Sequence, residues 1–146
     1  MDRKIVATNR KARFNYLLVE NYEAGISLLG SEVKSIRAGK ADLQEGYIKI
    51  ENNEIFLYNV NISAYEHISD RAYDPLRKRK LLLHRNEIKK ISEKVSQKGF
   101  ALVPVELYLK NGMVKLDVAL GRGKKTYDKR EAIKEREMKR EMERNG

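Results

Sequence analysis

Hydrophobic and polar residues alternate most regularly in two runs late in the chain, residues 103–109 and 114–120. Asn111-Gly112 separates the two runs, and this dipeptide favours a type I′ turn because both central positions need positive φ. The pattern therefore predicts an antiparallel hairpin with one buried apolar face. The pairs that this register places on the buried face are Leu109 with Val114, Leu107 with Leu116, Val105 with Val118 and Val103 with Leu120.

The polar face of this hairpin places Tyr108 opposite Lys115 and Glu106 opposite Asp117. A ring beside an ammonium group is typical of a surface that holds RNA by base stacking and phosphate attraction. Two carboxylates directly opposite one another repel unless a cation lies near them. Tyr108 and Lys115 are therefore candidate RNA contacts, and ordinary packing of the tyrosine is the alternative.

Three further segments have recognisable periods. A hairpin is predicted with strands at residues 47–51 and 55–59 and a turn at 52–54. Residues 14–29 are typical of one or two strands, broken near Ala24-Gly25. Residues 64–99 are predicted to run from a loop into a helix at 86–98, where Ile88, Ile91 and Val95 recur at the helical period and Gly99 ends it.

A short helix is predicted between the first strands and the first hairpin. Ser31 can cap its beginning and Gly39 can end it. Cations three residues apart share its outward side. A solvated helix face and an RNA-binding face explain these cations equally well, and the residues concerned are Lys34, Arg37 and Lys40.

Short strands with two small helices predict a mainly β fold with short α-helices. An OB-like closed antiparallel β-barrel fits this pattern, because closure removes exposed sheet edges. We expect residues 1–121 to form this RNA-binding barrel with a basic N-terminal arm, and residues 122–146 to form a basic C-terminal tail.

The net charge of the chain limits the kinds of partner that it is expected to bind. Its 146 residues include 31 Lys and Arg against 21 Asp and Glu, a net charge of +10. Such a protein is expected to meet a polyanion, with nucleic acid ahead of a membrane surface. No apolar run is long enough to span a bilayer or to act as a signal peptide, and cysteine is absent. We expect a cytoplasmic protein that acts without a membrane.

Aromatic residues interleave with the basic clusters, which is common in RNA-binding surfaces. The N-terminal arm carries Arg10 and Lys11 near Tyr16, and a loop carries the run from Arg77 through Arg79 to Lys80. The alternative is a set of core tyrosines under a generic basic surface.

The tail is rich in helix formers but has few apolar residues with which to dock on a barrel. We expect it to be disordered when free and to fold as a helix against a polyanionic surface. A solubilising tail is the alternative.

The sequence gives little support for an enzyme. Its two histidines, His67 and His84, have no neighbouring pattern of metal ligands, and no phosphate-binding glycine loop or nucleophile elbow is present. We predict no catalytic residues, no metal and no cofactor. A metal-dependent nuclease built from scattered carboxylates remains an alternative.

Five segments, in order, combine into a specific pattern that covers nearly the whole chain. They are residues 7–13, 22–26, 32–41, 74–83 and 123–130, which include Asn9-Arg10-Lys11, Tyr22-Glu23-Ala24-Gly25, Glu32-Val33-Lys34-Ser35, Arg77-Lys78-Arg79-Lys80 with Leu81-Leu82-Leu83, and Asp128-Lys129-Arg130. This pattern resembles the SmpB family of SsrA-binding proteins.

The resemblance implies an OB-like fold and a function in ribosome rescue. It implies an adaptor that binds the tRNA-like domain of transfer-messenger RNA and delivers it to stalled ribosomes, where the nascent chain is tagged. It also implies RNA contacts by Asn9, Glu23, Leu82 and Lys115, with core packing as the alternative for Leu82. The full set of candidate RNA-binding residues is Asn9, Arg10, Lys11, Tyr16, Glu23, Lys34, Arg37, Lys40, Arg77, Arg79, Lys80, Leu82, Tyr108 and Lys115.

The resemblance implies a separate role for the tail, which would enter the empty mRNA channel of the small ribosomal subunit near the decoding centre. Tyr127 stands where relatives often have histidine, so a ring is kept and a titrating imidazole is lost. We expect a monomer, and a generic basic OB-type ribosomal protein or translation factor is the competing interpretation. The candidate ribosome-binding residues are Lys124, Lys125, Tyr127, Asp128, Lys129, Arg130, Ile133 and Lys134.

Overall fold

The computed structural model describes residues 3–65, 72–97 and 99–124. The strands are β1 (Arg3–Thr8), β2 (Tyr16–Ile26), β3 (Ala41–Asp42), β4 (Tyr47–Glu51), β5 (Glu54–Tyr58), β6 (Asn61–Ile62), β7 (Arg79–Leu82), β8 (Phe100–Lys110) and β9 (Met113–Gly123). The helices are α1 (Arg10–Asn15), α2 (Gly30–Arg37) and α3 (Arg85–Val95). The mainly β prediction with short helices is confirmed.

The sheet is open, so the predicted closed barrel is wrong for the described part of the chain. Seven antiparallel strands follow the order β1-β8-β9-β2-β7-β5-β4, and β3 pairs with β6 in a small second sheet. The predicted N-terminal arm forms β1, which pairs with β8. Because β9 occupies the other edge of β8, the strand β4 packs near β8 without sharing its hydrogen-bond ladder.

Apolar side chains fill both faces of the β8–β9 hairpin. The larger core lies on one face and includes Leu107, Leu116 and Leu120, with Ile36 of α2 and Ile91 of α3 packed against it. Successive residues of a strand point to opposite faces. The smaller cluster therefore lies on the other face, under α1, and consists of Ala12, Val103, Val105 and Ala119 with Tyr16 and Leu18.

The predicted β8–β9 hairpin is correct near its turn and wrong farther away. Asn111 and Gly112 have φ of 52° and 77°, as the type I′ turn requires. A bulge between Pro104 and Glu106 then shifts the register. Proline lacks the N–H that a regular ladder needs, so a bulge there is physically reasonable. The pairs Leu109–Val114 and Leu107–Leu116 are confirmed, whereas Val103 pairs with Ala119 and Pro104 with Val118.

Three other boundaries differ from the predictions. The strand β2 continues through Gly25 without a break, and β7 occupies part of the predicted loop before α3. The first hairpin turns on Asn52-Asn53 alone, both with positive φ. The helix α2 begins one residue before the predicted cap Ser31, because the carboxylate of Glu32 accepts a hydrogen bond of 2.8 Å from the Leu29 backbone N–H.

A buried carboxylate joins α2 to β7. The side chains of Glu32 and Arg79 are both fully buried, and Arg79 Nε donates to Glu32 Oε2 at 2.7 Å. Arg77 donates to both oxygens of the same carboxylate, and the Tyr73 hydroxyl donates at 3.1 Å. Arg79 also donates to the Val60 carbonyl at 2.7 Å, so the network reaches the end of β5.

Burial alone would raise the pKa of Glu32, but hydrogen bonds from Arg77, from the Leu29 backbone and from Arg79 outweigh it. The net effect lowers the pKa of this carboxyl below its ordinary value of 4.5. Glu32 is therefore charged at neutral pH, and its negative charge is the partner that allows Arg79 to be buried.

We expect Glu32→Gln to lower the free energy of unfolding by about 3 kcal/mol at pH 7, because Arg79 would stay buried without its counter-charge. Urea denaturation measures this loss. The matched control is Glu54→Gln, which removes an exposed carboxylate 3.4 Å from Lys80 and should cost about 1 kcal/mol or less.

The pH dependence of unfolding, compared between wild type and Glu32→Gln, tests the charge assigned to Glu32. A lowered folded-state pKa stabilises the fold above the unfolded pKa, and this stabilisation is lost as pH falls through the folded value. The difference between wild type and Glu32→Gln should therefore be complete at neutral pH and shrink in acid. A difference that is constant down to the acid limit would contradict the assigned charge.

Candidate RNA-binding surface

Three strands bring together residues that are far apart in the sequence. Gly25 in β2 pairs with Leu82 in β7 on one side and with Lys115 in β9 on the other. Paired residues of antiparallel strands point to the same face, so the three form one row across the sheet. A Cβ on Gly25 would lie 3.3 Å from the Leu82 Cβ, which explains the small residue at the centre of the row.

Glu23 lies two residues before Gly25 and therefore on the same face. The Tyr108 hydroxyl donates to Glu23 Oε2 at 2.5 Å, and the Lys110 ammonium lies 3.3 Å from the same oxygen. The hydrogen bond from Tyr108 is the main cause that lowers the pKa of Glu23. The site thus presents a charged carboxylate in a fixed position.

Glu23, Leu82 and Lys115 share the lining of one groove of about 1110 Å³. The strand β7 contributes residues 80–82 to the groove, α3 lines part of it, and Asn52-Asn53 of the β4–β5 turn lines another part. Leu82 is 52% exposed, whereas its neighbour Leu81 is 1% exposed. This exposure favours a surface role for Leu82 over core packing, because half of the residue is accessible to a ligand.

Asn9 is not part of this groove. It is only 4% exposed, and its Nδ2 donates to the Pro104 carbonyl at 2.9 Å. Its Oδ1 has no hydrogen-bond partner within the described residues. The predicted contacts that follow it differ in their surroundings. In α1, Arg10 is exposed and Lys11 pairs with Glu45 at 2.7 Å, whereas Tyr16, the first residue of β2, packs against the smaller apolar cluster.

The helix α2 presents its cations outward, as predicted. Lys34, Arg37 and Lys40 are all exposed. The Lys34 ammonium lies 5.4 Å from the centre of the Tyr65 ring, and Arg37 donates to the Gly112 carbonyl at 3.1 Å. Arg37 therefore connects α2 to the turn of the β8–β9 hairpin.

Two of the predicted RNA contacts, Tyr108 and Arg79, have buried side chains. Tyr108 is 1% exposed: β1 pairs beside it, and the Arg3 guanidinium lies 3.7 Å from its ring centre. Arg79 is fully buried against Glu32. Alternation correctly placed Tyr108 on the outer face but could not show that β1 covers that face. Tyr108 instead acts through Glu23, which it positions.

The basic run at residues 77–80 is largely neutralised by carboxylates. Arg77 pairs with Glu32, and Lys80 lies 3.4 Å from Glu54. The Lys78 ammonium contacts Glu51 at 3.1 Å and lies 4.0 Å from the centre of the Phe56 ring. These carboxylates come from distant positions, so the sequence carried no signal that would have identified the pairs.

Most of the predicted tail contacts cannot be placed. Lys124 is exposed and ends the described chain. The predicted residues that lie outside the described part are Lys125, Tyr127, Asp128, Lys129, Arg130, Ile133 and Lys134.

Two kinds of feature are absent from the described residues. Within residues 3–65, 72–97 and 99–124, no group of three or more His, Cys, Asp or Glu side chains is arranged to hold a metal ion. Within the same ranges, no helix has both the length and the apolar content needed to cross a membrane.

Comparison with known proteins identifies the family. The sequence model of the SmpB protein family matches residues 6–146. The chain belongs to the SmpB family. Its relatives include the SsrA-binding proteins of Persephonella marina, 55% identical with 95% of this chain and 91% of the relative covered, and of Thermosynechococcus vestitus, 56% identical with 97% and 93% covered.

A solved SmpB structure has the same fold. The solved structure is described as "tmRNA-SmpB: a journey to the center of the bacterial ribosome". Its SmpB chain is 47% identical to this protein, and the two superpose with a TM-score of 0.66. The match covers 80% of this chain and 82% of the solved one. The family resemblance seen in the sequence is therefore confirmed.

Substitutions of the two adjacent leucines of β7 should have different effects on the free energy of unfolding. We expect Leu81→Ala to lower the free energy of unfolding by about 3 kcal/mol, because it removes a buried side chain and leaves a cavity. Leu82→Ala should change it by less than about 1 kcal/mol, since half of that side chain is already in water. Urea denaturation compares the two, and equal losses would show that Leu82 is a packing residue.

Proposed function

We propose that this SmpB-family protein is an RNA-binding adaptor for ribosome rescue. It binds the tRNA-like domain of transfer-messenger RNA in the cytoplasm and delivers that RNA to stalled ribosomes, so that the nascent chain is tagged. Its relatives carry the name SsrA-binding protein, and the solved neighbour is described with tmRNA and the bacterial ribosome. The observation that carries the proposal is the row formed by Leu82, Gly25 and Lys115, with Glu23 beside it.

The chemistry of this row suits a folded RNA. The Lys115 ammonium can pair with a phosphate, and the exposed Leu82 side chain can contact the apolar face of a base or a ribose. The Glu23 carboxylate can accept a hydrogen bond from a base N–H or a 2′-hydroxyl, and the Tyr108 hydroxyl holds it in place. In a regular duplex the bases are stacked and paired, so few base groups are available to one carboxylate and one leucine. The row therefore favours a folded RNA with exposed bases, such as a tRNA elbow.

The protein performs no bond chemistry in this role. It holds an RNA in a defined position, and the ribosome supplies catalysis. Exposed cations of α1 and α2, among them Arg10, Lys34 and Arg37, would add phosphate contacts outside the row.

The basic tail extends the proposal to the ribosome. After Gly121 the chain carries ten Lys or Arg and six Asp or Glu, which gives a net charge of +4. Such a segment, rich in helix formers and poor in apolar residues, gains most of its stability from a polyanionic partner. We propose that it enters the vacant mRNA channel near the decoding centre and is helical there, with Lys124 to Lys134 as its contact region.

A gel-shift titration tests the RNA function. The probes are transfer-messenger RNA, its isolated tRNA-like domain, and a duplex RNA of equal length, each at two salt concentrations. We expect tight binding to the first two probes and much weaker duplex binding at the higher salt, because charge alone does not survive added salt. Leu82→Ala should weaken binding to the tRNA-like domain while the protein stays folded.

The opposite outcome of the titration is equally clear. Equal binding to all three probes, lost together as salt rises, would reduce the protein to a generic basic RNA-binding module. RNA degradation that depends on an added divalent metal would instead indicate a nuclease.

A truncation separates the two proposed parts. Ending the chain after Gly123 should leave affinity for the tRNA-like domain within a few-fold, because the groove and the described core both precede that residue. The same truncation should abolish tagging in a reconstituted translation assay on mRNA without a stop codon. Loss of RNA binding on truncation would show that the division between sheet and tail is wrong.

A further inference from the structure

The helix α3 forms one wall of the groove that contains Glu23, Leu82 and Lys115. Its N-terminal flanking residue His84 and several residues of its first two turns line the groove, and among them are Arg85 and Lys89. These two cations are four residues apart, so they lie one above the other on a single helix face, about 6 Å apart along the axis. Both side chains are exposed.

The charges around the groove fall into two groups. Most of its carboxylates are already engaged: Glu23 accepts from Tyr108, Glu54 pairs with Lys80, and Glu87 accepts from the His84 backbone N–H at 3.1 Å. Within the described residues, three groove cations have no ion pair: Arg85, Lys89 and Lys115. Unpaired cations keep their full attraction for an anionic ligand.

We propose that Arg85 and Lys89 are phosphate-binding residues that extend the RNA site from the sheet onto α3. This inference rests on the proposed RNA function and adds a second, independent wall to it. Leu82 and Glu23 contact the RNA at the floor, while the two α3 cations hold the backbone of a strand that passes along the helix. Lys115 takes a phosphate on the opposite side of the row.

Phosphate binding by Arg85 and Lys89 would explain why these two cations of α3 lie at the groove. The helix α3 buries one side, where Ile91 is fully buried against the main core, and its remaining surface is strongly charged. A solvated helix would need no particular placement of its cations. Here two of them line the groove, while Lys90 and Lys94 belong to the same helix and do not line it.

This difference supplies a matched control within one helix. Arg85→Gln with Lys89→Gln removes two charges from the groove wall, and Lys90→Gln with Lys94→Gln removes two charges from the rest of the helix. Glutamine has a helix propensity close to that of Lys and Arg, so neither variant should unfold α3. Circular dichroism and thermal melting check that both remain folded.

The measurement is the affinity for the isolated tRNA-like domain at several salt concentrations. Each lost phosphate contact lowers the slope of log K against log[salt] by about 0.7–0.9, and at 0.1 M salt it costs about five- to eightfold in affinity. We expect the groove-wall variant to bind about 25- to 60-fold more weakly, with a slope lower by about 1.4–1.8. The control should bind within about twofold of wild type with the same slope, because Lys90 and Lys94 do not line the groove.

Two results would contradict the proposed phosphate contacts of α3, and a third would contradict the RNA function on which they rest. Equal losses in the two double variants would show that α3 contributes only general charge, and unchanged binding in both would show that the RNA does not reach this wall. Either result contradicts the α3 contacts while leaving the sheet site intact, provided that wild type prefers the tRNA-like domain to duplex RNA. Absence of that preference in wild type would instead contradict the proposed function itself.

Discussion

The buried ion pair between Glu32 and Arg79 holds β7, the strand that carries Leu82, against α2. Glu32 lies at the beginning of α2, and Arg79 begins β7, the strand that carries Leu82 to the floor of the groove. The same carboxylate also holds Arg77. A charge buried this deeply is stable only with its partners in place, so the fold has little freedom to shift β7 against α2. The cations of α2 and the exposed leucine of β7 are held in one arrangement by an ion pair that is itself fully buried.

The sequence predicted those elements whose residue types follow the usual inside–outside pattern. The β8–β9 turn, the α3 period and the outward cations of α2 all follow it. The strand β7 does not: it buries Arg79 and exposes Leu82, the reverse of what charge and hydrophobicity favour. No periodicity could reveal such a strand, since its arginine is buried by a carboxylate 47 positions away.

The candidate site was predictable in part for the same reason. The family resemblance indicated Glu23, Leu82 and Lys115, but their proximity depends on two strand pairings, β2 with β7 and β2 with β9, that join distant segments. The burial of Tyr108 was not predictable, because it depends on β1, which the sequence predicted as part of a basic arm and not as a strand. Counting cations also overstated the basic surface, since carboxylates from β4, β5 and α2 neutralise much of the run at residues 77–80.

The order of strands in the sheet has a consequence for how this protein is made. In β1, Arg3 pairs with Lys110 of β8, and in β2, Tyr16 pairs with Gly123 of β9. The strands β1 and β2 can therefore pair with β8 and β9 only after residues about 100 positions later have been synthesised. Contacts this distant in sequence make folding slow, and they cannot form while the last hairpin is still inside the ribosome. A chain that lacks β9 also lacks Lys115 and one of the two strands that pair with β2. A protein proposed to rescue stalled ribosomes therefore gains its own RNA site only after β9 has been synthesised.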